Sequence, residues 1–220
     1  MSETLSPEQV RDKYVAAMPG SLGEAFYALY NEVAWLYYKW DDYSALFGDN
    51  ETIDVLNSTA GPFFHDVQHV LRESILLHMC RLTDPLKSAG KENLTLRALA
   101  PMLPADEEAS FRNALDAAVD DAISKTGFAR QYRNKRLAHS ALPPAAGGEA
   151  VVLPAASMAE MSDAIEAIGA AMNCVERHYM QAMMQWSWPS DTPLGVAQLL
   201  VYLRKGLEAV WHEESRWKQG

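Results

Sequence analysis

Arg130, Arg133, Lys135, Arg136 and His139 sit together in the run Ala-Arg-Gln-Tyr-Arg-Asn-Lys-Arg-Leu-Ala-His, residues 129–139. Their types suit one chemistry. A guanidinium presents a planar fork that matches phosphate oxygens, and an imidazole with an ordinary pKa of about 6.5 exchanges protons at neutral pH. Residues 122–148 hold no Asp or Glu, and Lys125 joins the four cations just named, so this interval carries a formal +5. The whole chain is −10, which leaves −15 for the remainder. A positive island in an acidic protein invites a phosphate. A solvated basic face near a helix end, where the dipole favours cations, would account for the arginines. It does not account for a histidine placed just before Leu142-Pro143-Pro144 and beside an Arg133-Asn134 pair.

The elements that must position these residues read as helices. Ser6-Pro7-Glu8-Gln9 has the cap, the first-turn proline and the capping-box glutamine of a short helix running to about Ala17. A long helix follows from about Leu22 into the Phe47 region, with Phe26, Leu29, Val33 and Trp40 recurring at three and four residues. The polar stretch 48–61 reads as a turn-rich connection, and Pro62 opens the next helix, with Phe64, Val67, Leu71, Ile75, His78 and Leu82 on one stripe. That helix ends before Asp84-Pro85, because proline disfavours the helical conformation in its predecessor. A loop over 84–93 and a helical turn near Thr95 to Leu99 come next.

Pro104 and Asp106 are expected to start a helix with Phe111, Leu115, Ala118 or Val119 and Ala122 inward. Gly127 breaks or kinks it, and the motif helix covers about 128–139. A Pro, Ala and Gly segment to Pro154 contains Val151 and Val152, a possible stub of strand. Ser157 and Glu160 then form a capping box, followed by Met158, Met161, Ile165, Ile168, Met172, Val175, Tyr179, Ala182 and Trp186. That periodicity predicts a helix of about 29 residues, or roughly 45 Å, over about 157–187. A last helix over about 193–214 turns Val196, Leu200, Leu203, Leu207 and Val210 inward. With no internal repeat and no alternating strand, the chain reads as an all-α, single-domain bundle of about six or seven helices.

Composition supports this. Hydrophobic residues make up 49% and charged residues 22% of the 220, the balance of an ordinary globular domain. Cys80 and Cys174 are too few for a disulfide framework, and the expected setting is a reducing cytoplasm. No apolar run reaches membrane-spanning length and the start lacks a signal-peptide pattern, so no membrane association is expected. A net charge of −10 disfavours general coating of nucleic acid while permitting a local phosphate site.

Other candidates carry less. His65 and His69 are four apart with Glu73 one turn on, a zinc-compatible spacing. His78 lies too far round the same helix to complete that site, and there is no His-Glu-x-x-His pattern, so no metal and no cofactor is expected. His178 and His212 lack a constellation. Met172, Met180, Met183 and Met184 follow the bundle seam and read as core filler. None of the Gly-rich turns has the Lys-Ser/Thr of a nucleotide phosphate loop.

Three segments together carry a family resemblance: His78-Met-Cys-Arg81-Leu-Thr-Asp84-Pro, then Gly90-Lys-Glu-Asn-Leu-Thr-Leu96, then Arg133-Asn-Lys-Arg-Leu-Ala-His139. Over about residues 71–142 the chain resembles the U-type abortive-infection subgroup of the HEPN superfamily, whose signature is an Arg, a polar residue and a His a few positions on. The resemblance implies a helical fold and a metal-independent endoribonuclease. In that chemistry His139 takes the proton of an RNA 2′-hydroxyl and returns one to the leaving oxygen. Arg133 braces the phosphorane oxygens, and Asn134 orients the histidine or the phosphate. Arg130, Arg136, Lys125 and Lys135 hold flanking phosphates.

Geometry sets a condition. Six residues of regular helix rotate by about 600°, leaving Arg133 and His139 roughly 120° apart in direction and about 9 Å apart along the axis. Either the helix distorts before His139, or the site is composed from two chains across a two-fold axis. The resemblance implies the second, a homodimer with motif helices facing each other. Two other functions fit the same residues: a non-catalytic binder of RNA or nucleotide phosphate, and an interaction bundle that meets an acidic partner, an antitoxin or regulatory protein being one such class.

Overall fold

The computed structural model describes residues 5–88, 90–137, 156–186 and 195–217, with Arg136, Leu137 and 213–217 described by backbone alone. The chain is all-α: α1 Pro7–Ala17, α2 Leu22–Phe47, α3 Asn50–Thr83, α4 Ala109–Lys125, α5 Gly127–Tyr132, α6 Met158–Met180 and α7 Val196–Trp217. It groups into two compact units, Met1–Leu36 with Leu76–Trp186, and Tyr37–Ile75 with Ser187–Gly220. Both α2 and α3 run through the boundary.

In the first unit, α1 begins as its capping box predicts, with Ser6 Oγ accepting from Gln9 N at 3.3 Å and Gln9 Oε1 accepting from Ser6 N at 2.7 Å. Gly23 lets α2 press onto α1, since a Cβ there would meet Val15 Cα at 2.6 Å. The core of this unit is the seam between α4 and α6. Phe111, Leu115, Val119 and Ala122 meet a face carrying Ile165, Ile168, Met172 and Val175, all buried. Each fully buried aliphatic side chain contributes about 1.5–3 kcal/mol relative to exposure. Ala164, Ala167 and Ala171 on the same helix are buried as well.

The sequence pattern needs revision in several places. Residues 48–61 are helical from Asn50, because Asp49 caps the first turn through Thr52 N and Thr52 Oγ1, both at 2.8 Å. The break falls at Ala60 (φ −155°, ψ 60°), two residues ahead of Pro62, whose nitrogen has no hydrogen to donate to the helix. The 84–93 loop contains a minimal hairpin, β1 Lys87–Ser88 paired with β2 Lys91–Glu92, turned by Gly90 at φ +78°. Two 3-10 turns follow, Leu96–Ala98 and Ala100–Met102. The next helix starts at Ala109, after Pro104 and Asp106.

The predicted 29-residue helix stops at Met180, with Gln181 left-handed (φ 52°). The side chain of Asn173 explains the stop: it accepts from Met184 N at 2.9 Å and donates to Met184 O at 3.1 Å, folding the chain back over the helix end. Met172 is core, as its spacing suggests, but Met183 is 62% exposed. In the second unit Tyr43, Leu46, Leu56, Phe64 and Leu200 are buried, whereas Val210, expected inward, is 54% exposed. The strand stub expected at 150–153 lies outside the described residues.

Near the α1 terminus, Tyr179 Oη donates to Glu107 and His178 Nε2 lies 3.0 Å from the other carboxylate oxygen. His178 also stacks on Phe111 at 3.8 Å, so it is a packed structural residue. The Tyr179 bond, then His178, holds the Glu107 carboxyl below its ordinary range, while burial first and Glu107 second push the Tyr179 phenol up. A carboxyl with a lowered folded pKa contributes stability that is present above the unfolded pKa and lost as pH falls through the folded value. The Glu107→Gln protein should therefore lose less melting temperature than wild type between about pH 5 and 3, measured by thermal denaturation at stepped pH.

Candidate phosphate site

The motif helix does not continue as a regular α-helix. α5 ends at Tyr132, and Arg133–Leu137 form a π-helical turn, whose wider winding changes the direction of every side chain after Arg133. The distortion named above as one condition for a working motif is thus present from Arg133 onward. His139 lies outside the described residues, as do Leu142 to Pro144.

Arg133 is clamped. Its Nη1 donates to Asp84 Oδ2 at 2.6 Å, with the two side chains 30% and 21% exposed, and its Nε approaches Asn134 Oδ1 at 3.4 Å. The Asp84 carboxylate raises the Arg133 pKa further above its ordinary value. The other oxygen, Asp84 Oδ1, is buried and has no hydrogen-bond partner among the described residues. Asn134 and Lys135 are exposed beside this pair.

Arg130 is turned inward, not toward flanking phosphates as the charge pattern suggests. Its Nη1 donates to Thr83 Oγ1 and Thr126 Oγ1, both at 2.9 Å, and its Nη2 donates to Ile123 O. The hydroxyls of Thr83 and Thr126, both fully buried, are 3.0 Å apart. Arg130 therefore ties the start of α5 to the end of α3, placing Asp84 opposite Arg133. Lys125 pairs with Asp121 at 3.1 Å on exposed α4 surface. Arg136 follows on the π turn, its side chain outside the description.

Cys80 is buried beneath this cluster, and burial pushes its thiol up to about 11, with Arg133 and Arg130 offsetting only part of the effect. Native protein at pH 8 should leave Cys80 unalkylated by iodoacetamide, while denatured protein reacts fully, as read by peptide mass spectrometry.

A second cluster borders Asp84. Glu32 Oε2, from α2, lies 2.9 Å from both His78 Nε2 and Arg81 Nη2, and His78 is 3% exposed. Glu32, Arg81, Asp84, Ser88 and Asn93 line a cleft of about 400 Å³. The sequence signal for His78, Arg81 and Asp84 lay in the first resembling segment, without roles attached to them; nothing in the sequence points to Glu32 or Thr126. His65 and His69 are exposed, their rings edge to face at 4.6 Å. Among the described residues no group of three His, Cys, Asp or Glu is placed to hold a metal, and no helix is long and apolar enough to cross a membrane.

This arrangement offers one guanidinium held at a fixed angle by a carboxylate, an amide at its side, the exposed Lys135 along the same turn, and a polar cleft behind the carboxylate. It can bind and orient a phosphodiester. No curated protein and no solved structure matches the chain. The HEPN family model described as AbiU2 matches residues 20–199, well over half of the chain and including every element of the site. Fold, motif and match agree, and the chain belongs to the AbiU2 family of HEPN proteins, an abortive-infection group.

Proposed function

We propose that this protein is a metal-independent endoribonuclease of phage-defence type, with Arg133, Asn134 and His139 at its centre. The observation that carries the reading is Arg133, locked by Asp84 at the head of a π-helical turn with Asn134 exposed beside it. A pre-oriented guanidinium needs little reorganisation when charge develops on a phosphorane, which is where electrostatic catalysis gains most. His139 acts as general base toward the 2′-hydroxyl and as general acid toward the leaving 5′-oxygen. Asn134 orients the scissile phosphate, and Lys135 and Arg136 hold its neighbours. A second copy across a two-fold axis completes the cleft with its own motif.

The test is incubation with mixed tRNA and mRNA in EDTA. New ends carrying 2′,3′-cyclic phosphate are expected, together with a light-scattering mass twice the 24.4 kDa of the chain. Cleavage that needs a divalent ion would overturn the mechanism, and a monomer at micromolar concentration would overturn the shared site.

One observation favours a second reading. The donor edge of Arg133 already holds a carboxylate, so an incoming phosphate competes with Asp84. A non-catalytic phosphate binder would retain RNA without cutting it, and an interaction bundle would not retain it.

A further inference from the structure

We propose that the groove between α4 and the two 3-10 turns is a guanine-binding subsite for the RNA, an inference that rests on the RNA reading above. The groove measures about 530 Å³. One wall is the edge of α4 that carries the exposed Asp116 and Asp120 and the half-buried Ile123, with the buried Val119 beside them. The other is the pair of turns, with Arg97 and Pro101. Arg112 laces the walls together, donating to Ala100 O at 3.2 Å and Pro104 O at 2.8 Å, so the groove is held open by bonds across it.

The unused polar groups select the ligand. Asp116 and Asp120 are exposed and make no ion pair among the described residues. Arg97, which also lines the groove, is half-buried, and the bond it makes there runs from Nε to Thr83 O at 3.5 Å. Two carboxylates against two guanidinium groups give a neutral groove that does not favour a phosphate run. Ile123 and Pro101 provide apolar surface for a flat ring, and a guanidinium plane is a stacking partner for bases. A carboxylate accepts hydrogen bonds and donates none. Guanine alone among the four bases presents two adjacent donors, its ring N1–H and its N2 amine, to one carboxylate. Adenine offers an acceptor at N1, and the pyrimidines offer one donor each on that edge.

The groove is also joined to the phosphate site. Ile123 lines it and accepts from Arg130 through its carbonyl, and Thr83 receives Arg97 on its carbonyl and Arg130 on its hydroxyl. Thr83 precedes Asp84, the partner of Arg133. The groove and the Arg133 site are thereby linked through the bonds of Thr83 and Arg130.

The test is titration of the full chain with guanosine, inosine and adenosine 5′-monophosphates by calorimetry, together with sequencing of RNA cleavage ends. The three share a phosphate, so differences report the base. Guanosine monophosphate should bind at least about tenfold tighter than the other two. Asp116→Asn or Asp120→Asn should erase that preference while circular dichroism shows the fold intact. Equal binding of the three, or a preference unchanged in both variants, overturns the subsite. Base-blind cleavage with no guanosine preference rejects the subsite and leaves the nuclease standing. A guanosine preference without any cleavage does the reverse.

Discussion

His139→Ala should slow RNA cleavage by about 10²- to 10⁴-fold, the range a single general acid–base group supplies. RNA retention on filters should change little, since Arg133, Lys135 and Arg136 keep their charges. The physical reason lies in the 2′-hydroxyl, a poor nucleophile until its proton is removed, and in a 5′-oxygen that leaves poorly without one. An imidazole serves both steps because its ordinary pKa of about 6.5 lies near the working pH. The wild-type rate should accordingly rise along an acid limb as the imidazole loses its proton, and the limb should vanish in the residual activity of the variant. Retention of full cleavage by His139→Ala would assign the chemistry elsewhere, with His78 beside Glu32 the first residue to examine.

Arg133→Ala should lower the cleavage rate by about 10²- to 10³-fold, the loss seen when one donor to a developing oxyanion is removed. It should also destabilise the fold. Removing the guanidinium leaves the Asp84 carboxylate, four-fifths buried and already lacking a partner on Oδ1, without its charged donor. Leaving a buried polar group unsatisfied costs about 1–3 kcal/mol. The double variant Arg133→Ala with Asp84→Asn separates the two effects, because removing the charge on both partners relieves the unpaired carboxylate without restoring the phosphate fork. Its denaturant midpoint should recover toward wild type while its rate stays low. If both recover together, Arg133 is a structural residue and the phosphate site is not built on it.

The elements of the fold were readable where the sequence carried its own local physics. Capping boxes at Ser6 and Ser157 act within four residues, and both helices begin where those residues place them. The buried stripe Phe111, Leu115, Val119, Ala122 was likewise visible, because burial of one helical face imposes its period on the sequence. Helix ends were less legible when a distant side chain decided them, as when Asn173 captures Met184.

Charge shows the boundary most clearly. The sequence by itself determined an all-α chain with a cationic island, an Arg-Asn-x₄-His motif and a resemblance that the family match bears out. It could count five cations in the island but not which of them are free. Tertiary structure decided that for the two arginines whose partners come from another element: Asp84 from beyond the end of α3 takes Arg133 and Thr83 takes Arg130, while Lys125 pairs one turn back with Asp121 on its own helix. The pairings of Arg133 at 2.6 Å and Arg130 at 2.9 Å depend on where helices pack, and a formal sum over neighbouring residues contains no such distance. The π turn at Arg133 was likewise not legible, since no cap, Gly or Pro in the run Arg133 to Leu137 marks it.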